Sequence, residues 1–257
     1  MNKIRRINKH GSLGFFLSSK FLFLLPAFIL IGVFVIYPLI LAVGYSFTDY
    51  YLLNPDNISF VGLDNYFGII EDKYAKQSFF NSTKYVIYIV PLQVALSLFL
   101  AILIAKKSKV NTFFRTAFFS PYILSIIVVS LLWKNILDPE LGIVNVFLAE
   151  LGFSKQEFFG NPDLALQTIS FIILWQGISF QMLIIMAALQ EIPSSLYEAA
   201  DIEGANAWQK FRYITVPSIK DQLVFVLIVV TTGTFKIIIE PLVLTNGGPQ
   251  GSTSSIL

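Results

Sequence analysis

Uncharged, mostly apolar runs alternate with short polar segments along the whole chain. Four of them cover residues 21–48, 85–105, 116–133 and 164–190, and a fifth, 222–245, is interrupted only by Lys236 and Glu240. Each reaches the roughly 18 residues at which a helix rising about 1.5 Å per residue crosses about 30 Å of hydrocarbon. The pattern predicts an all-α polytopic membrane protein with five transmembrane helices. The polar segments are too short for a separate soluble domain. Residues 1–70 read as an N-terminal stretch, first helix and outer loop, and residues 71–257 as the core. The closing "SSIL" reads as the start of a sixth helix beyond the C-terminus.

Composition supports lipid as the solvent. The chain is 55% hydrophobic and 13% charged, against about 25% charged in ordinary soluble domains. The first run is far longer than the apolar stretch of about 7–15 residues in a cleavable signal peptide, so it reads as a lasting anchor. The chain has no cysteine, which excludes disulfide and thiolate chemistry. Its net charge of +2 says little. The placement of the bases says more. Lys3, Arg5, Arg6, Lys9 and Lys20 precede the first run, and Lys106, Lys107, Lys109 and Arg115 follow the second. Fewer occupy the alternate segments, which hold Lys73, Lys76 and Lys84, then Lys134 and Lys155. The positive-inside rule places the N-terminus and the 106–115 loop in the cytoplasm, with 49–84 and 134–163 outside. By helix count, 191–220 is cytoplasmic too.

Catalytic signatures are missing. No phosphate-binding G-x-x-x-x-G-K-[ST] loop occurs, and the single histidine, His10, leaves no histidine metal site or triad. The chain reads as neither an ATPase nor an intramembrane hydrolase, and no cofactor or metal is expected on it.

The most polar stretch of the second half is "EAADIEGANAWQKFRYITVP", residues 198–217. Ser195-x-x-Glu198 has the form of a capping box that starts a helix over 196–203. Gly204 suits the left-handed residue that ends it, and Asn206 can cap a second helix over 207–213. Trp208, Phe211 and Ile214 give that second helix an apolar face. The expected object is a helix–glycine–helix elbow with Ala199, Ala200, Gly204 and Ala205 at the bend, small enough for another backbone to approach. On spacing alone, a docking element and a merely well-capped loop fit equally well.

The stretch resembles the EAA loop of binding-protein-dependent ABC importer permeases. Glu198, Ala199, Ala200, Gly204, Ala205, Phe211, Ile214 and Pro217 match in register. Val216 replaces the usual leucine, Glu203 the usual aspartate, and Asp221 stands where a second proline often follows. "SFTDY", "FVGLDNY", "FFRTAFFSPYILS", "LLWKNILDPELGIVN" and "LTNGGP" are similar to the carbohydrate-uptake branch, in particular to the first of its two permease subunits, the maltose-transporter type. The resemblance implies an inner-membrane permease of a bacterial or archaeal cell. It also implies a distinct second permease, cytoplasmic ATPase subunits that carry ATP and Mg, and an extracytoplasmic solute-binding protein delivering sugar. Nucleic acid has no place in such a complex. The elbow, through Glu198, Ala199, Ala200, Gly204, Ala205, Phe211 and Pro217, would sit in an ATPase groove and move with it. Two other classes are set against this reading: a secondary transporter or channel working without an ATPase, and a membrane scaffold or enzyme.

Within the apolar runs, sugar passage needs aromatic faces and a few hydrogen-bonding groups. Trp175, Gln176, Ser179 and Gln181 lie near the middle of the fourth run, where interhelical hydrogen bonding is an equal explanation. Lys236 and Glu240 are candidates as intramembrane ionisable groups, or else one self-neutralising pair a turn apart. Tyr88 and Trp133 are weaker candidates.

Overall fold

The computed structural model describes residues 19–53, 58–106 and 108–257, with side chains from residue 22 onward. The bases before residue 10, His10 and Lys107 lie outside the described residues. The chain divides into two compact units, Met1–Asp72 and Lys73–Leu257.

In the first unit, α1 (Ser19–Ile31), a π-helical turn (Gly32–Ile36) and α2 (Tyr37–Tyr45) make one continuous apolar span, Leu22–Tyr45, of 24 residues. Pro26 lies inside α1, and Pro38 lies just after the π-helical turn, a local widening of the kind by which a continuous membrane helix accommodates a missing N–H. None of the span's side chains is buried. A helix apolar on all sides calls for apolar surroundings. Beyond it the motifs "SFTDY" and "FVGLDNY" close on each other. Asn65 Nδ2 donates to the carbonyls of Ser46 (3.0 Å) and Thr48 (2.8 Å). Asp49 accepts from the backbone N–H of Ser59 (2.5 Å) and from its hydroxyl (2.7 Å), which holds the carboxyl below the usual carboxylate range. The short helix α3 (Asp64–Glu71) follows.

The second unit is built around α4 (Lys73–Ile104) and α8 (Pro162–Gln190), which share the most extensive helix contact. They run side by side in the same direction. Lys84 and Asp163 line one cavity near their starts, Ser97 donates to Ile178 O (3.2 Å), and Gln190 Nε2 reaches Ala105 O (3.1 Å) at their ends. Gly177 makes the approach possible, because a Cβ there would collide with the Gln93 side-chain amide. Tyr85, Ile89, Ile169, Met182 and Ile185 fill the seam. Between these helices in sequence come α5 (Lys109–Ile123), α6 (Ile126–Ile136) and α7 (Ile143–Glu150). After them come α9 (Ser194–Ile202), α10 (Ala207–Lys210), a π-helical turn (Phe211–Thr215) and α11 (Val216–Ser218). The chain then runs through α12 (Lys220–Phe235), which packs on α4 and α8, and α13 (Ile239–Thr245), which packs on α6.

Among the described residues, three helices are long and apolar enough to cross a membrane, and five if each of two bent pairs is one span. A bend and an unwound segment correct two expectations. The run 116–133 is not one straight helix: α5 and α6 meet at 97°, with Leu124 and Ser125 in extended backbone. Pro121, three residues before the break, has no N–H for the carbonyl of Ala117, and the Ser120 hydroxyl bonds that carbonyl instead (2.8 Å). The run 222–245 unwinds between Phe235 and Ile239, separating α12 from α13. The short helix α7 is tied to its flanks by the buried Asn145, whose amide donates to Asp138 O (3.1 Å) and Gln156 O (3.0 Å).

Candidate functional site

The elbow forms, with different hardware at its start. α9 begins after Pro193 without any side-chain cap, so the Ser195–Glu198 capping box is not made. Ser194 is already helical, and Ser195 therefore lies inside the first turn, where it cannot serve as the cap. Glu198 is exposed. The reciprocal box sits one helix later. Asn206 Oδ1 accepts from Gln209 N–H (2.9 Å), and Gln209 Oε1 accepts from Asn206 N–H (2.7 Å). Gly204 has φ +78°, the left-handed value expected of it, and a Cβ there would meet nothing within 4 Å. It is needed for its backbone conformation, and the space beside it is open.

The second arm is shorter than expected over 207–213. After Lys210 the backbone widens into the π-helical turn, which shifts the register. Phe211 and Ile214 are half-buried, whereas Trp208 stays 66% exposed with its ring 5.4 Å from that of Phe211. The arms are braced by Lys210 Nζ to Asp201 Oδ1 (2.6 Å) and by the hydroxyls of Tyr197 and Thr215 (2.9 Å). Ala200, Glu203, Gly204, Ala205, Gln209 and Lys210 line a hollow of about 370 Å³ in the bend. Ala199 and Pro217 are exposed beside it. Ile202 (88% exposed) and Tyr213 (74%) stand out on the same elbow, a pair that sequence reading passed over because neither belongs to an apolar repeat.

The candidates on α8 point elsewhere. Gln176 Nε2 donates to Leu124 O (3.1 Å) and Pro121 O (3.3 Å), and Ser179 Oγ donates to Phe118 O (2.6 Å). Both side chains thus bolt α8 to the break between α5 and α6: Gln176 supplies donors to carbonyls at the interrupted end of α5, and Ser179 adds one to a carbonyl still within that helix. Gln181 is buried, with Oε1 lacking a hydrogen-bond partner among the described residues. Trp175 meets Trp133 edge to face at 5.5 Å, and Trp133 meets Phe171 in the same way. Lys236 is exposed at the end of α12 and Glu240 is buried in α13. The chain between them is not helical, so they are not a turn apart on one helix. Among the described residues the ion pairs are Lys155–Glu140 and Lys210–Asp201, and the self-neutralising Lys236–Glu240 bridge is not formed. Tyr88 lines the groove between α4 and α8.

A further polar cluster escaped the sequence. Asn81 Nδ2 donates to Gly251 O (2.8 Å) and Ser254 O (3.0 Å), Gln77 Nε2 to Gln250 O (3.0 Å), and the Tyr85 hydroxyl to Thr253 O (3.1 Å). These α4 residues hold the loop after "LTNGGP". The only local signal was a row of polar side chains on an otherwise apolar helix.

The profile of the family described as "Binding-protein-dependent transport system inner membrane component" matches residues 93–256. A probable ABC transporter permease protein of Pyrococcus horikoshii is 37% identical over 234 residues, covering 90% of this chain and 80% of its own length. The arabinooligosaccharides transport system permease protein of Bacillus subtilis is 31% identical over 237 residues, covering 91% and 74%. A subunit in the crystal structure of a bacterial alginate ABC transporter, in complex with an alginate pentasaccharide-bound periplasmic protein, superposes with a TM-score of 0.79. It is 22% identical, with 91% of this chain and 78% of that one covered, and so shares the fold. A permease of this kind is a non-catalytic, multi-pass subunit that binds no cofactor, ATP being the business of a separate ATPase. The chain belongs to the family of binding-protein-dependent transport system inner membrane components, as an ABC transporter permease.

Proposed function

We propose that the chain is one half of the membrane pathway of a sugar or oligosaccharide importer, and that its elbow is the part a cytoplasmic ATPase grips. The observation carrying this reading is the elbow itself, a braced bend whose apolar side chains Ile202, Trp208 and Tyr213 are uncovered, the last of them at a hollow beside Gly204. An element that only connected two helices would gain nothing from exposing them, since burying such side chains is worth about 1.5–3 kcal/mol each. The braces between its arms let a push on one reach the other. From there α11 and α12, bent at 70°, lead back toward the bundle. The charge pattern supports a cytoplasmic N-terminus, 106–115 loop and elbow. The arabinooligosaccharide relative supports sugar as the cargo.

In this reading a second, different permease completes the pathway, two ATPases bind below, and a solute-binding protein docks at the other face. Discontinuous helices in transporters commonly line the substrate path. The break at Leu124–Ser125 and the gap between α12 and α13 are the places where the helices lining that path are interrupted. Gln176 and Ser179 hold that geometry. Trp175, Gln181, Lys236, Glu240 and Tyr88 are the side chains offered to sugar or to the partner permease.

The test uses the absence of cysteine. A single Tyr213→Cys, placed in the assembled transporter, should form a cross-link to an ATPase subunit through a short bifunctional reagent, and the chain should purify with that subunit and a second permease. A chain that transports when purified alone, with the introduced thiol uncross-linked, would instead be an autonomous transporter.

A further inference from the structure

The uncharged stretches of α4 and α8 begin at Tyr85 and Leu164, immediately after Lys84 and Asp163. These two charges therefore mark the same boundary of the hydrocarbon layer on adjacent helices. They line one cavity of about 710 Å³, together with Tyr88, Gln167 and Ser252. Among the described residues neither makes an ion pair, and the Ser252 hydroxyl has no hydrogen-bond partner. Tyr88 and Gln167 are shared with a second space of about 520 Å³, walled by Leu92, Leu96, Phe171 and Leu174. Residues 88, 92 and 96 recur every fourth position, and 167, 171 and 174 every third or fourth, so each helix contributes one face to a continuous groove. From Lys84 to Leu96 the groove runs about 18 Å along α4, close to the depth of one leaflet of a bilayer whose core is about 30 Å thick.

The cleft is thus amphipathic along its length, polar and charged at the boundary and apolar beneath. A free sugar would leave the apolar part unmatched, and an apolar helix, from another subunit or from elsewhere in this chain, would strand both charges. A lipid matches both parts. The separated ammonium and carboxylate further select the head group, since they complement a phosphate and a primary ammonium held a few atoms apart. A glycerol head group offers no cation to Asp163, and a choline head group offers no N–H donor.

We propose that this cleft binds one phosphatidylethanolamine molecule, its phosphate on Lys84 with the hydroxyls of Tyr88 and Ser252 nearby, its ammonium on Asp163, and one acyl chain along Leu92, Leu96, Phe171 and Leu174. Phe171 also packs edge to face on Trp133 at 5.5 Å, so an acyl chain there braces the aromatic cluster between α6 and α8. The inference rests on the chain spanning a membrane and is independent of which cargo it carries.

The assembled transporter, in phosphatidylcholine vesicles doped with a phosphatidylethanolamine bearing a diazirine in its acyl chain, provides the test. Adducts should concentrate on residues 88–96 and 167–174 and yield to unlabelled phosphatidylethanolamine at far lower concentration than to phosphatidylglycerol. Lys84→Gln and Asp163→Asn should each lower labelling there about tenfold, as expected for losing a charged hydrogen bond. Labelling of Leu22–Tyr45 in the same samples should stay unchanged, which excludes misfolding as the cause. Three results would overturn the proposal. One is labelling of the groove no denser than that of Leu22–Tyr45. Another is equal competition by phosphatidylglycerol. The third is a cross-link from Leu96→Cys to another subunit or to another part of this chain, which would make the occupant a protein.

Discussion

The elbow and the break between α5 and α6 are both helix–bend–helix units, and they are stabilised in opposite ways. The break takes its hydrogen bonds from another helix: Gln176 and Ser179 of α8 reach the carbonyls of Leu124, Pro121 and Phe118. The elbow takes its bonds from within, through Asn206 with Gln209, Asp201 with Lys210, and Tyr197 with Thr215. Its apolar side chains meanwhile face outward. A bend locked from outside moves with its lock, whereas a bend that is rigid by itself and open on its surface can be moved by a visitor. The two glycines nearest these bends make the same contrast. Gly177 is required by space, since Gln93 occupies the position of a Cβ, and Gly204 is required by φ, with open space beside it.

That contrast can be broken at several points. The largest effect is expected for Gly177→Leu, which drives a side chain into Gln93 in the α4–α8 seam. Overpacking of this kind costs about 1–3 kcal/mol in ordinary cores and more where backbone must move. The yield of folded, membrane-inserted complex should fall severalfold, read by size-exclusion of the solubilised transporter. Gln176→Leu comes next. It strips donors from two carbonyls at the break, a cost of about 1–3 kcal/mol for buried groups left unsatisfied. Uptake should drop while the complex still assembles, and the thermal midpoint of the purified transporter should fall. If both are unchanged, the break does not depend on α8.

Within the elbow the effects should be smaller and local. Asn206→Ala removes the one reciprocal cap, worth about 1 kcal/mol, and should weaken coupling of ATP hydrolysis to substrate without loss of assembly. Glu198→Ala should be the mildest for stability, within about 0.5 kcal/mol, because the side chain is exposed and caps nothing. Any sizeable loss of transport in Glu198→Ala would then report a contact with a partner. Thermal midpoints and substrate-stimulated ATPase rates of the two variants separate these outcomes.

Much of this was legible in the chain. The runs 21–48, 85–105 and 164–190 are long, unbroken and bounded by charges, and each became a long helix, because no local feature competes with lipid for those residues. Gly204 was legible for a similar reason: a lone glycine after a polar helix has few roles other than the left-handed turn. The break at Leu124–Ser125 was not legible. Proline alone is tolerated within membrane helices, and the donors that make a true break affordable sit on Gln176 and Ser179, more than fifty residues downstream. The unwinding at Lys236 was hidden because apolar residues continue through it, so hydropathy could not mark it. In the elbow, Ser195 and Asn206 were both plausible caps by local pattern. Asn206 caps α10 as expected, whereas Ser195 loses its role because α9 already begins after Pro193, which depends on how α8 ends. At the sites, residue type indicated where polar groups lie within the membrane, and the structure then assigned Gln176 and Ser179 to the backbone of a neighbouring helix.

If the elbow transmits force from an ATPase to the bundle, Gly204 is the residue at which that role is most open to test. Any side chain there meets a left-handed conformation that costs about 1–2 kcal/mol, and Gly204→Asp adds bulk and charge to an open hollow without touching the α4–α8 core. The decisive measurement is substrate-stimulated ATP hydrolysis by the reconstituted transporter carrying Gly204→Asp, with assembly checked on the same sample. The expected result is an assembled complex whose hydrolysis no longer responds to loaded binding protein. Full stimulated activity in an intact complex would contradict force transmission and leave the elbow a well-braced connection between two helices.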